Sequence, residues 1–111
     1  MIKADVNLTS KIEDDNLTIC LCGEIDHHTA ISLRQNSDEL IFRYRPHELI
    51  FDLSKIEFMD SSGLGLIMGR YSLMKKFDGS VTIINPSERV EKILSIAGLE
   101  KIIKIERTKE K

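Results

Sequence analysis

The sequence contains few cysteines and prolines, and it lacks the features that mark several classes of protein. It has two cysteines, two prolines and no tryptophan in 111 residues. Cys20 and Cys22 stand two apart on a predicted strand, about 6.6 Å from each other, which is a poor geometry for a disulfide. Neither they nor the histidines, His27, His28 and His47, show the spacing of metal ligands. We therefore expect neither a structural disulfide nor a bound metal.

Charge and hydrophobicity narrow the class further. Sixteen basic and eighteen acidic residues give a net charge of −2, so net charge does not drive binding to nucleic acid or to a membrane. No apolar run approaches the roughly 18–20 residues of a membrane-spanning helix. Residues 1–6 show no secretory signal, so we expect the protein in the cytoplasm. The length predicts one globular domain, residues 1–111, with an ordered core at about residues 3–106.

Short strand-like runs and helical periods follow one another along the chain. Residues 4–9 and 17–21 alternate apolar and polar side chains, which predicts an antiparallel hairpin whose second strand ends at Gly23. Three helical periods then separate further strands, and the apolar run at residues 49–53 is typical of a strand covered on both faces. Residues 102–105 form either a last short strand or a docking segment. The sequence predicts an α/β domain with a mixed, mostly parallel sheet, in the order β-β-α-β-α-β-α.

Two segments place small and polar residues directly after predicted strands. Residues 23–30 read Gly-Glu-Ile-Asp-His-His-Thr-Ala, and residues 58–65 read Phe-Met-Asp-Ser-Ser-Gly-Leu-Gly. Strand-to-helix connections of a parallel sheet lie together at its carboxyl edge, where ligands and partners bind. We therefore expect these two segments to be neighbours in space.

The residue types in these segments allow several roles. The structural interpretation is that Asp60 and Asp26 cap helices and that the glycines let a helix approach the sheet closely. A nucleophile elbow would need glycine at Met59, and a phosphate loop is absent because no Gly-Lys pair occurs. A small nucleotide-binding hydrolase that uses Ser61, His27 and Asp26 stays open. A serine at a helix N-terminus is also a suitable acceptor for a phosphoryl group.

In these two segments, and in the Gly69-Arg70-Tyr71 that follows them, the sequence resembles the bacterial anti-sigma factor antagonists. These proteins are single STAS domains, and the resemblance is greatest to their sporulation branch and extends over essentially the whole chain. It implies an anti-anti-sigma factor of the bacterial cytoplasm that acts in the forespore. The unphosphorylated protein would bind an anti-sigma factor that is also a serine kinase, in its ADP form, and so release the sporulation sigma factor. The kinase would use ATP to phosphorylate Ser61 and switch the protein off, and a serine phosphatase would reverse this.

The resemblance also implies which residues act. Ser61 is preferred over Ser62 as the phosphorylation site, because the family motif places the acceptor after the aspartate and because we expect the Ser62 hydroxyl to serve in local capping. No catalytic residue, cofactor, nucleic acid or membrane partner is expected, and the protein is not expected to be an enzyme. A STAS scaffold or sensor module of another stress-signalling pathway is the alternative within the family. The expected partner-binding residues are Glu24, Asp26, His27, Asp60, Ser61, Ser62, Gly63 and Gly65.

Overall fold

The computed structural model describes residues 7–108, which form one five-stranded sheet with three helices. Ala4 and Val6 of the predicted first strand, and residues 3–6 of the expected core, lie outside the described residues. The elements are β1 (Leu8–Glu13), β2 (Asn16–Ile25), α1 (His27–Tyr44), β3 (Glu48–Met59), α2 (Ser61–Lys76), β4 (Ser80–Ile84), α3 (Glu88–Ile96), a 3-10 turn (Leu99–Lys101) and β5 (Lys104–Glu106).

The strands lie in the sheet in their order along the chain. β1 pairs with β2 in antiparallel fashion, and β2, β3, β4 and β5 pair as parallel neighbours. The segment at residues 102–105 therefore leads into a strand, since β5 pairs with β4. These findings confirm the predicted α/β class and element order. No helix in residues 7–108 is both long enough and apolar enough to span a membrane.

The core lies on one face of the sheet. Along β3, Leu49, Phe51 and Leu53 are fully buried, whereas Ile50 and Asp52 between them are only half-buried. Buried side chains of all three helices complete this core. The expectation that residues 49–53 are covered on both faces is therefore wrong, because the helices pack on one face of the sheet only.

Gly23 does not end β2, as the sequence predicted, but lies within it. Its backbone has a φ of +81°, and the pairing with β3 changes register between Gly23 and Glu24. Asn7 braces this bulge, because its side-chain amide donates to the Cys22 carbonyl at 2.8 Å and its own carbonyl accepts from the Cys22 N–H at 3.0 Å. The bulge lets β2 run on to Ile25, so Glu24 is a strand residue paired with Phe58.

Both cysteines are free and half-buried. Burial, reinforced by the charge of Asp52, raises the pKa of the Cys20 thiol. This thiol is therefore protonated at neutral pH and is a weak nucleophile.

Candidate functional site

Two helices begin side by side at the carboxyl edge of the sheet. Ile25 and Met59, the last residues of β2 and β3, pair with each other, and the Asp60 N–H donates to the Ile25 carbonyl at 3.1 Å. Asp26 and Asp60 each follow one of these paired residues and precede a helix. The structure thus brings together the two segments that the sequence predicted to be neighbours.

Asp26 caps α1. Its Oδ1 accepts the backbone N–H groups of His28 at 2.9 Å and Thr29 at 3.0 Å. The Thr29 hydroxyl in turn accepts the Asp26 N–H at 3.0 Å, which completes a reciprocal capping box. The hydrogen bonds from Thr29, aided by that from His28, lower the pKa of the Asp26 carboxyl below its ordinary value. Asp26 is therefore a fixed negative charge at neutral pH.

Asp60 caps α2 with a single side-chain hydrogen bond and without a capping box. Its Oδ1 accepts the Ser62 N–H at 2.7 Å, and its carbonyl accepts the Gly63 N–H at 2.9 Å. The prediction that the Ser62 hydroxyl serves in capping is wrong, because the side-chain cap of α2 is the Asp60 carboxylate and the Ser62 side chain makes no hydrogen bond within residues 7–108. The two serines differ instead in exposure, since Ser61 is exposed and Ser62 is half-buried.

The glycines of the second segment have different roles. Gly63 is buried, and a Cβ at its position would overlap with Met59 Cγ and lie 3.3 Å from Ile25 Cγ2. It therefore allows α2 to sit closely on the ends of β2 and β3. A Cβ at Gly65 would meet no atom within 4 Å, so Gly65 does not serve close packing.

The arrangement does not assemble a hydrolytic triad. The Asp26 carboxylate is engaged by backbone amides of its own helix, and the His27 ring stacks on His28 with 4.8 Å between ring centroids. No hydrogen bond joins Ser61 to His27 or Asp26 in the described part of the chain. Nor do residues 7–108 contain a cluster of three or more side chains that could hold a metal ion.

A groove between the N-terminal halves of α1 and α2 was missed by sequence reasoning. Its volume is about 270 Å³. Ile31 is 54% exposed although it lies on a helix that packs on the core. In the sequence it is an apolar residue outside the helical period of the buried residues, and this was the available indication of the groove. We call this the interhelix groove; it is lined by Ala30, Ile31 and Arg34 of α1 and by Ser62, Gly65 and Leu66 of α2.

An ion pair between a buried arginine and a half-buried aspartate joins α1 to α2 and was also missed by sequence reasoning. Arg70 Nε lies 2.8 Å from Asp38 Oδ1, so the pair is held by charge although the atoms are not well aligned for a hydrogen bond. Burial lowers the pKa of the Arg70 guanidinium, Asp38 opposes that effect, and the nearby charge of Arg34 adds to it. This pair links the two helices that form the groove.

Comparison with known proteins identifies similar chains. The family model described as the STAS domain matches residues 7–111. The anti-sigma F factor antagonist of Paenibacillus polymyxa is 39% identical over 89 residues, which are 80% of this chain and 76% of the relative. The anti-sigma-B factor antagonist of Bacillus subtilis is 33% identical over 101 residues, 91% of each chain.

Solved structures of an anti-sigma factor antagonist have the same fold. Unphosphorylated SpoIIAA matches with a TM-score of 0.81 and 29% identity, over 93% of this chain and 89% of that one. SpoIIAA in the phosphorylated form matches with a TM-score of 0.74 and 28% identity, over 93% and 92% of the two chains.

Proposed function

This chain belongs to the STAS domain family, and we propose that it is an anti-sigma factor antagonist that phosphorylation of Ser61 switches off. The unphosphorylated protein binds an anti-sigma factor that is also a serine kinase, in its ADP form, and the sigma factor is released. The kinase transfers a phosphoryl group from ATP to Ser61, which ends binding, and a serine phosphatase restores the active form. The protein is thus a binding partner and a substrate, acting in the cytoplasm.

The exposed Ser61 hydroxyl is the observation that carries this proposal. Ser61 is the first residue of α2, and within residues 7–108 its side chain has no hydrogen-bond partner. A kinase can therefore reach the hydroxyl without breaking a contact of the fold. The helix N-terminus then accommodates the added charge, because anions are favoured there.

Electrostatics explain how a phosphate would stop binding. A phosphoserine carries a charge of about −1.5 to −2, and it would stand beside Asp60, with the ionised Asp26 at the adjacent helix start. In water this charge is tolerated. In a docked interface the phosphate must lose its hydration, at an effective cost of several kcal/mol unless a cation replaces the water. Each 1.4 kcal/mol is a tenfold loss of affinity, so a few kcal/mol is enough for a switch.

No change of fold is needed for this switch. Relatives solved in the unphosphorylated and phosphorylated forms both match this chain over 93% of its length. This supports a mechanism in which the phosphate acts locally, on hydration and charge at the contact surface.

We propose the sporulation sigma factor of the forespore as the one that is released, which the 39% identity to an anti-sigma F factor antagonist supports. A stress-response sigma factor is the second candidate, favoured by the 33% identity to an anti-sigma-B factor antagonist over 91% of both chains. Binding of this chain to the anti-sigma F and anti-sigma B factors of the same cell, measured side by side with ADP, distinguishes the two.

The test of the proposed function is a phosphorylation assay. Incubation with the cognate kinase and ATP should add one phosphate to Ser61, located by mass spectrometry of peptides, and the product should no longer bind the kinase. Ser61→Ala should stay unmodified, and Ser62→Ala is the matched control that should be modified normally. Phosphate on Ser62 would overturn the assignment of the site, and the absence of both binding and modification would overturn the function.

A further inference from the structure

The interhelix groove is kept open by a glycine that the fold does not require. A Cβ at Gly65 would meet no atom within 4 Å, and its φ is not in the left-handed region, unlike those of Gly23 and Gly98. Glycine is a poor residue for the interior of a helix. Alanine would fit the fold at this position and would favour the helix, so packing does not account for this glycine, and its bare backbone lines the groove.

An apolar side chain stands exposed at the edge of this groove. Ile31 is 54% exposed, and Ala30 and Leu66 continue the apolar lining. The volume of about 270 Å³ has room for one large aliphatic or aromatic side chain. Pockets of this kind receive the anchoring side chains of protein interfaces.

Arg34 gives the same groove a positive charge that the fold does not neutralise. No carboxylate of residues 7–108 lies within salt-bridge distance of it. Its neighbour Arg70 is also cationic and forms an ion pair with the carboxylate of Asp38. The two like charges oppose each other, so a bound anion at Arg34 would relieve a repulsion that the free protein carries.

The charges around the site divide into two regions. The loop edge carries the carboxylates of Glu24, Asp26 and Asp60, whereas the groove carries the guanidinium of Arg34. A partner of complementary charge therefore has its basic groups at the loops and an acidic group at the groove, which defines one orientation of docking.

We infer that the interhelix groove is a subsite for the anti-sigma factor, which inserts one apolar side chain between α1 and α2 and places a neighbouring carboxylate on Arg34. This inference rests on the proposed function, since it assigns part of the same contact surface. Arg34 and Gly65 then determine which anti-sigma factor is accepted, beside the loop residues that sense the phosphate.

Charge reversal tests the carboxylate contact. Binding to the cognate anti-sigma factor with ADP is measured by calorimetry for the wild-type chain and for Arg34→Glu. Arg89→Glu, at an exposed arginine of α3, makes the same change of net charge away from the site. We expect Arg34→Glu to weaken binding at least about tenfold and Arg89→Glu to leave it unchanged. An Asp→Lys or Glu→Lys substitution in the anti-sigma factor should restore binding to Arg34→Glu.

Filling the groove tests the apolar contact. Gly65→Leu should weaken binding by about tenfold or more while its melting temperature stays equal to or above that of the wild type, because leucine favours the helix. A variant that bound poorly because it was misfolded would show a lowered melting temperature instead.

The outcomes separate this inference from the proposed function. Normal binding by both Arg34→Glu and Gly65→Leu, with binding still lost in phosphorylated protein, overturns the subsite and leaves the function standing. If Arg34→Glu binds normally but raises the pKa of the Ser61 phosphate measured by ³¹P NMR, Arg34 serves the chain's own phosphate, and the subsite is overturned. If the wild-type chain does not bind the anti-sigma factor, both proposals are overturned.

Discussion

Adding a single methyl group at Gly63 or at Gly65 should change stability in opposite directions. The two glycines are two residues apart in α2, but only Gly63 is buried. A Cβ at Gly63 would overlap with Met59 Cγ and lie 2.6 Å from Met59 Sδ and 3.3 Å from Ile25 Cγ2. A Cβ at Gly65 would meet no atom within 4 Å. The two substitutions therefore compare the effect of packing on stability with the effect of helix propensity within one helix.

The expected magnitudes follow from these contacts. Alanine favours a helix over glycine by about 1 kcal/mol, so Gly65→Ala should raise the free energy of unfolding by up to about that amount. Overpacking of a core costs about 1–3 kcal/mol, and Met59 is almost fully buried, so its side chain has little room to move. After the gain in helix propensity, Gly63→Ala should be destabilised by up to about 2 kcal/mol. The two variants should thus differ by about 1–3 kcal/mol, since the helix gain is common to both.

Thermal and urea unfolding followed by circular dichroism measure this difference. At about 4 °C per kcal/mol for a domain of this size, the melting temperatures of the two variants should lie roughly 4–12 °C apart. Met59→Ala should cost less stability in the Gly63→Ala background than alone, because the clash is then relieved. Equal stabilities of Gly63→Ala and Gly65→Ala would refute the close seating of α2 on the strand ends.

Further predictions concern charge and protonation. Ser61→Asp should weaken binding to the anti-sigma factor only in part, because a carboxylate carries less charge than a phosphate, whereas Ser61→Ala should bind fully; equal binding by the two would show that charge is not the switch. Asp26→Asn should keep its melting temperature at pH 7, because asparagine caps as well as aspartate, but lose binding or phosphorylation if the charge is recognised; unchanged binding would reduce Asp26 to a cap. Because folding lowers the pKa of the Asp26 carboxyl, the ionised carboxylate stabilises the fold at pH values above its ordinary pKa of 3.8. This contribution is lost as the pH falls through the folded-state pKa, so urea unfolding below pH 4 should depend less on pH in Asp26→Asn. Cys20, whose pKa is raised by burial, should react with iodoacetamide at pH 8 more slowly than free cysteine; an equal rate would contradict its protection.

The local features of the site could be read from the sequence. Asp26 and Asp60 precede helical periods, and a carboxylate in that place satisfies the free N–H groups of a first turn whatever the rest of the chain does. Both residues are helix caps in the structure. The neighbourhood of the two segments was also predictable, because parallel strands joined by helices bring their carboxyl ends to one edge. The periodicity of apolar residues along the chain likewise predicted the element order correctly.

The length of β2 depended on contacts between residues that are distant along the chain and close in space. The sequence predicted that Gly23 ends the second strand, but pairing with β3 and the contact with Asn7 extend β2 past it. The separation of these residues along the chain does not indicate which of these contacts form.

The sequence by itself determined the caps, the element order and the position of an exposed serine at the start of α2, because these depend on neighbours within a few residues along the chain. Only the tertiary structure decided that Arg70 pairs with Asp38 across two helices and that Ile31 and Gly65 lie along one groove. These features arise when α1 and α2 pack on the same face of the sheet, and the angle and spacing of that packing are set by the whole core. The acidic loop edge was therefore visible in the sequence, whereas the groove with its unneutralised Arg34 appears only in the folded chain.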